Sequence, residues 1–378
     1  MLLVLLLWAA GLGAAAQFGK ISILYETLRT TYGGGGEVAL GLVVSIVGMV
    51  GLIFGTTAGL LVARIGPRRA IVAALAAGAA MSALQSLLPP YPLMLASRIV
   101  EGASHLAIVV VGPTMIAALA PEHRRPLAMT LWSSFFGVTY TILALIGPMA
   151  TPTGLFLGHA AWMAALAAIL ALTLPPDPRG QALPMDNLLA QHARIYASPR
   201  LAAPAMGFCC YTFLYVAVLT LLPPETPATH RALIAAGMPL VSIAVSLTLG
   251  VWLLGRMSAV RLVQAGYAVA IPGFLLLWLF WGQGAGMVAG GFLLSAALGI
   301  VQGASFAAIP ELNASAEDRA RAAGAVAQLG NLGTTTGTPV LAAIMASAGP
   351  AGLTIAAVTL SALGIAVHAV QKGRRLRL

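Results

Sequence analysis

The segment IVEGASH, Ile99–His105, returns in the second half of the chain as IVQGASF, Ile300–Phe306. Both copies lie inside long apolar runs, and a near-repeat so far apart in a chain of 378 residues points to two similar halves. Working outward, the runs around both copies are about 20 residues long. That is enough for a helix rising ~1.5 Å per residue to cross a ~30 Å hydrocarbon core. Composition agrees: 60% of the chain is hydrophobic, 8% is charged and mean hydropathy is +0.95. No water-soluble core needs that much apolar surface. The fold class is therefore an all-α polytopic membrane protein.

Breaking the sequence at charged and Pro/Gly clusters gives twelve spans. They run over 1–22, 38–63, 70–89, 92–119, 126–150, 155–175, 201–222, 231–254, 262–282, 286–310, 322–346 and 352–371. Each copy of the repeat falls in the fourth span of its half. The opening MLLVLLLWAAGLGAAAQ has a signal-peptide-like apolar core and Ala-x-Ala end, but no positively charged start. It reads as the first span, because its removal would leave an odd number of helices.

The loops RIGPRR, PEHRR, PPDPRG to ARIYASPR, GRMSAVR, AEDRAR and the KGRRLRL tail hold most of the Lys and Arg residues. They alternate with short loops nearly free of positive charge, so the basic set belongs on the inner side and both termini are expected to be cytoplasmic. The same distribution removes nucleic acid as the reason for the formal charge of +10. The long loop at mid-chain divides the protein into a six-helix bundle over 1–175, a cytoplasmic loop over 176–200 and a second six-helix bundle over 201–378 with a short basic tail. Within the loop, Pro184 and Asp186 precede Leu188, Leu189, His192, Ile195 and Tyr196 on one helical face, which fits a short interfacial helix or a plain solvated linker.

In the first copy of the repeat an arginine, a glutamate and a histidine are added. At 100° per residue Arg98, Glu101 and His105 project within an arc of roughly 60°. With a span starting near residue 92, Glu101 lies ~14 Å deep. Ionisable groups at that depth are costly, so they face a bundle interior or a wet cavity and are functional by default. An adjacent cation favours an ionised carboxylate and desolvation favours the neutral acid, so Glu101 is a candidate proton-exchanging group. Arg98 would bias it and meet an anionic substrate, and His105 would extend the path inward. The competing reading is a permanent Arg98–Glu101 pair at i, i+3. The shared Gly-Ala-Ser reads as helix packing.

GLLVARIGPRR, Gly59–Arg69, resembles the signature between the second and third helices of the major facilitator superfamily; Gly59, Arg64, Gly66, Arg68 and Arg69 match, Ala63 replaces the acidic residue and Pro67 a basic one. RIVEGASH resembles the family's helix 4 motif, and Gly137–Pro148, ending in Gly147 and Pro148, partly resembles a helix 5 motif associated with antiporters. RIVEGASH and the LWSS segment of the fifth span also bear a thin likeness to cyanate-type permeases. The resemblance covers essentially the whole chain. It implies two pseudo-symmetric six-helix bundles, alternating access about a midplane site, and a cytoplasmic gate at Gly59, Arg64, Gly66, Arg68 and Arg69. Because Ala63 cannot supply the usual latch, the arginines are expected either to engage Glu317 or Asp318 or simply to hold topology.

Lys20, beside Gln17 and Phe18, either snorkels to the outer interface or joins Arg98 in an anion site. Tyr140, Tyr211, Tyr215, Gln302, Gln328 and Asn331 are candidate cavity-lining residues, each equally readable as interhelical contacts. Glu311 reads as a loop carboxylate, and Glu26 and Glu37 as solvated outer-loop groups. His159, His230 and His368 show no metal-ligand spacing, and Cys209 and Cys210 read as packing residues. There is no H-E-x-x-H, phosphate loop or Ser/His/Asp set, so no enzyme and no cofactor is expected. The sequence leads to a monomeric transporter in the inner or plasma membrane, driven by an ion gradient of protons. Its substrate is a small polar or anionic metabolite; the alternatives are a drug-efflux antiporter and a transporter-like assembly scaffold.

Overall fold

The structure, a computed structural model, describes residues 1–121, 128, 131–132, 134–177 and 188–377. The first half contains α1 (Leu2–Ile23), α2 (Tyr25–Tyr32), α3 (Gly36–Ser45), α4 (Met49–Phe54), α5 (Ala58–Ile65), α6 (Pro67–Gln85), α7 (Tyr91–Leu119), α8 (Phe135–Ile146) and α9 (Pro152–Thr173). The second contains α10 (Leu188–Ala197), α11 (Ala202–Glu225), α12 (Ala228–Val245), α13 (Val251–Leu254), α14 (Ala259–Leu279), α15 (Gly284–Leu312) and α16 (Ala316–Arg375). No strand occurs among the described residues. Among the described residues, nine helical runs are long and apolar enough to cross a membrane. The last of them holds the eleventh and twelfth spans, separated where Gly349 takes φ 62°, ψ −159° before Pro350. Glycine adopts that left-handed region without a Cβ clash, and Pro350 cannot supply the N–H that would carry the helix on. With α6 and the shorter α8 added, the helices account for a twelve-span, all-α membrane protein.

Large apolar side chains such as Leu172, Met149 and Ile355 remain exposed, as helices surrounded by acyl chains require. Two spans are not regular. The second is interrupted by a 3-10 turn at Ile46–Gly48, and the eighth by a π-helical turn at Ser246–Gly250. The repeated glycines meet these interruptions. A Cβ on Gly102 would collide with the Val47 carbonyl oxygen, and one on Gly303 would lie 2.6 Å from Ser246 Oγ. Small residues here let α7 and α15 approach the irregular turns closely.

The outward segment expected as a loop is partly helical. Tyr25, Leu28 and Tyr32 bury one face of α2, and Tyr32 OH donates to the Pro89 carbonyl at 2.7 Å. Glu26 forms an exposed pair with Arg29 at 3.5 Å, whereas Glu37 lies in the first turn of α3 rather than in a loop. The chain divides into two compact units. One is Met1–Gly35 with Ile46–Met185, and the other is Gly36–Ser45 with Asp186–Leu378. Within the second, α3 packs on α16, where Ser45 Oγ donates to the Thr335 carbonyl at 2.7 Å.

The mid-chain loop does contain a helix, α10, and it is held by protein contacts. Ile195 is buried, Tyr196 OH donates to Gln328 Oε1 at 2.7 Å, and Gln328 Nε2 lies 2.9 Å from His192 Nε2. Burial pushes the Tyr196 phenol up to about 12, so its hydroxyl remains a donor. Arg374 and Arg375 close the other side by donating to the carbonyls of Ala197 and Pro199. The start signals Pro184 and Asp186, the PEHRR loop from residue 122 and the side chains of Leu188, Leu189, Ala63, Pro148 and Glu317 lie outside the described residues.

Candidate functional site

The charged face of α7 meets α1 and α6 inside the first unit, and α9 packs against both of those helices. Glu101 is fully buried between two cations: Lys20 Nζ donates to Oε1 at 2.5 Å, and Arg98 Nη1 donates to Oε2. Gln85 Nε2 donates to Oε2 at 2.8 Å and also lies 3.0 Å from Ser97 Oγ. All four of Lys20, Gln85, Arg98 and Glu101 have no exposed surface. Burial on this scale requires pairing, because a lone charge in hydrocarbon is far costlier than one with hydrogen-bonded partners.

Lys20, which the sequence left between the outer interface and an anion site, is fully buried. It does not snorkel. Its three ammonium hydrogens match three acceptors: Glu101 Oε1 at 2.5 Å, Ser82 Oγ at 2.8 Å and His159 Nδ1 at 3.2 Å. His159 Nε2 lies 3.0 Å from the Gly13 carbonyl, which can only accept, so Nε2 carries the hydrogen and Nδ1 is left as the acceptor for Lys20. Ser82 Oγ donates onward to the Phe156 carbonyl at 3.0 Å. The result is a fixed polar chain from α7 through α1 and α6 to α9.

His105, expected to continue the charged path, does not bond Glu101. Its Nδ1 donates to the Ala14 carbonyl at 3.0 Å and its ring meets Phe18 edge-on at 5.1 Å. Three and four residues along a helix bring side chains to one face but not to one partner, and here α1 takes the histidine. Gln17 Nε2 donates to Ser104 Oγ at 2.9 Å, so Ser104 of the repeated Gly-Ala-Ser adds a polar contact to packing. Two amide oxygens beside this network, Gln17 Oε1 and Gln85 Oε1, are buried without a hydrogen-bond partner.

The other candidates sit elsewhere. Tyr140 is buried, stacked on Phe136 and 3.2 Å from Ser22 Oγ. In the second unit Tyr211 and Tyr215 stack at 5.1 Å, Gln302 is half-buried, and Gln328 holds α10 as described. Asn331 Nδ2 donates to the Ala327 carbonyl of its own helix at 2.8 Å. Gly147 starts a 3-10 turn, Gly147–Met149, where a Cβ would collide with Ile23 of α1. That gives Gly147 a packing role in the turn.

The Gly59–Arg69 motif is anchored by a residue the sequence reading passed over. Asp177 accepts from the backbone N–H of Arg68 at 2.7 Å and of Arg69 at 3.0 Å, capping α6 from beyond the end of α9. Gly66 has φ 95°, and a Cβ there would collide with Asp177, so the motif's second glycine is required twice over. Arg68 also donates to the Ala171 carbonyl, while Arg64 is exposed on the last turn of α5. Asp318 pairs with Arg321 at 3.5 Å on its own helix. Glu311, expected as a loop carboxylate, accepts from the Ala259 N–H at 2.6 Å and so caps α14.

Among the described residues no group of three His, Cys, Asp or Glu side chains could hold a metal ion. A sequence profile described as Major Facilitator Superfamily matches residues 3–338. The chain belongs to the major facilitator superfamily. The Escherichia coli (strain K12) inner membrane transport protein YajR is 27% identical over 226 residues, which cover 57% of this chain and 49% of YajR. The chain thus matches about half the length of that curated relative. Among solved structures, a bacterial homologue of the human lysosomal transporter Spinster, inward-facing and occupied, superposes with TM-score 0.79 at 14% identity, covering 98% of this chain and 96% of the other. The inward-open xylose transporter XylE of E. coli gives 0.76 at 15%, covering 98% and 95%, and the human organic anion transporter MFSD10 gives 0.70 at 17%, covering 97% and 98%. At these identities the superpositions establish the fold. Superfamily membership marks a multi-pass membrane protein of a transporter family.

Proposed function

We propose that this major facilitator superfamily member is a proton-coupled secondary transporter of a small polar or anionic metabolite, with Glu101 as the proton-exchanging group and both termini cytoplasmic. The observation that carries the proposal is the charge count: one buried carboxylate faces two buried cations, Lys20 and Arg98. Such a group holds one positive charge in excess, which an anionic substrate group would balance. A proton on Glu101 frees both cations at once, which couples protonation to anion affinity.

Gln85 supports a two-state carboxyl. Its Nε2 donates to the ionised Glu101, while its Oε1 is buried and unpartnered. Turning the amide by half a rotation would present Oε1 to a protonated Glu101, so either protonation state finds a partner. The alternation of basic loops with loops nearly free of positive charge supports cytoplasmic termini. Alternating access then needs only a rocking of the two bundles about a midplane site.

The test is a split between net transport and exchange in proteoliposomes. A thermal-shift screen of small acids, sugars and drug-like cations at two pH values first supplies a ligand; stabilisation by carboxylates, lost in Arg98→Gln, is the expected result. Glu101→Gln should then abolish accumulation driven by a proton gradient while leaving counterflow exchange of that ligand. Full gradient-driven accumulation by Glu101→Gln would sink the proton role, and hits confined to neutral or cationic compounds would favour the efflux reading.

A further inference from the structure

Between α8 and α9, with α1 as its floor, the first unit holds a cavity of about 400 Å³, within the size range of small-molecule sites. It exists because α9 lacks side chains where α8 would otherwise pack. Gly154 and Gly158 both line it, and a Cβ on Gly158 would meet nothing within 4 Å. A G-x-x-x-G spacing usually draws two membrane helices together, yet here its face is left open. The rim is apolar and exposed: Ile142 is 45% exposed, Ile146 43% and Trp162 45%. Apart from Thr139, the polar side chains that reach the walls are Trp162, whose Nε1 is bonded to the Ala9 carbonyl, and the two members of the buried chain, Lys20 and His159.

The chemistry of an occupant follows from this lining. A hydrated metabolite would lose its water against leucine and isoleucine walls without replacement, so the occupant must be apolar along most of its length. Lys20, buried just behind the wall it helps to line, belongs to a group with one carboxylate for two cations, so the end of the occupant that approaches it must be an anion. We propose that the crevice is a lateral binding site for a single-chain carboxylate amphiphile, a fatty-acid-type anion that enters from the bilayer. Its chain lies between α8 and α9, and its carboxylate takes the Lys20 N–H that now reaches His159, the longest of the three ammonium bonds. Occupancy would set a second anion against the cation that pairs with Glu101, so the ligand acts on the same buried group from the lipid side. The inference rests on the cavity and its charge count; it does not depend on which metabolite is transported.

Trp162 provides the readout. The purified full chain in zwitterionic nanodiscs is titrated with a stearic acid brominated in mid-chain and, separately, with the brominated alcohol of the same length. Quenching is assigned to Trp162 by difference from Trp162→Phe. The expected result is saturable quenching by the acid, several-fold weaker with the alcohol, and lost in Gly158→Phe, which fills open space without touching the charged group. Lys20→Met should bring the acid down to the level of the alcohol; if that variant does not fold, Gly158→Phe decides. Quenching that never saturates, that is equal for acid and alcohol, or that persists in Gly158→Phe overturns the site. Failure here leaves the Glu101 transport test intact, because that test reads a soluble ligand and a proton gradient.

Discussion

In α7 the repeated segment presents Arg98, Glu101 and His105; in α15 the same three positions hold Gly299, Gln302 and Phe306. The backbone framework is alike, for Gly102 and Gly303 each press against an irregular turn of a neighbouring span. The space is used differently. A Cβ on Gly299 would collide with the Ser242 carbonyl, so α15 closes on α12 where α7 carries an arginine. Phe306 meets Phe208 edge-on at 5.2 Å, in a column continued by Tyr211 and Tyr215, where His105 instead bonds backbone. One copy spends the position on packing and the other on charge. Charge in one half only is consistent with the coupling role proposed for Glu101.

The largest effect that could break this contrast is on stability. Glu101→Gln leaves two buried cations without their carboxylate and should cost about 3–5 kcal/mol, seen as a marked fall in melting temperature of the purified protein. Lys20→Met should cost less, because Arg98 and Glu101 remain as a neutral pair. Gln302→Leu should change stability by no more than about 1 kcal/mol. A Gln302→Leu cost equal to that of Glu101→Gln would mean that both copies are polar supports and that the charge is incidental.

A smaller effect tests the shared part. Gly102→Ala forces a methyl onto the Val47 carbonyl, a backbone atom that cannot turn aside, and should cost about 1–3 kcal/mol. Gly303→Ala meets the Ser246 hydroxyl, which can rotate, and should cost well under that. Melting curves of the two variants decide. Equal costs would show that the 3-10 turn in the second span yields as easily as a side chain.

The fold was legible because apolar length and the loops between runs are local properties. The charged face of α7 was legible for the same reason, since helical spacing alone aligns Arg98, Glu101 and His105. What lay beyond local spacing was the partner of each group. Lys20 is 81 residues from Glu101 and His159 is 139 from Lys20, so nothing in either span's own pattern announces their meeting. His159 did carry a signal: a histidine inside an apolar span is costly unless bonded, which applies to it as it does to His105. Asp177 was hidden by its setting among prolines in a loop, where an acidic residue reads as solvated. The interruptions of the second and eighth spans had only weak marks, the spaced glycines Gly48, Gly51 and Gly55 in one and a Ser-Leu-Thr-Leu-Gly segment in the other.

The smallest expected effect concerns the two helix caps, where the halves again solve one problem differently. A helix start leaves backbone N–H groups without partners, and in the membrane-edge loops each of α6 and α14 receives a carboxylate from a distant segment. Asp177 serves two N–H groups and is nearly buried, with Arg69 Nε at 4.0 Å; Glu311 serves one, helped by Ser258 Oγ, which accepts from Arg261 N–H at 3.3 Å. Removing a cap costs about 0.5–2 kcal/mol, so Asp177→Ala should fall near the top of that range and Glu311→Ala near the bottom. The difference should appear in hydrogen exchange as faster opening of the first turn of α6 than of α14. Because Asp177 also fills the space a Cβ on Gly66 would need, Gly66→Ala should open the same turn of α6 even with Asp177 intact, and a protected first turn in Gly66→Ala would show that the cap does not depend on that close approach.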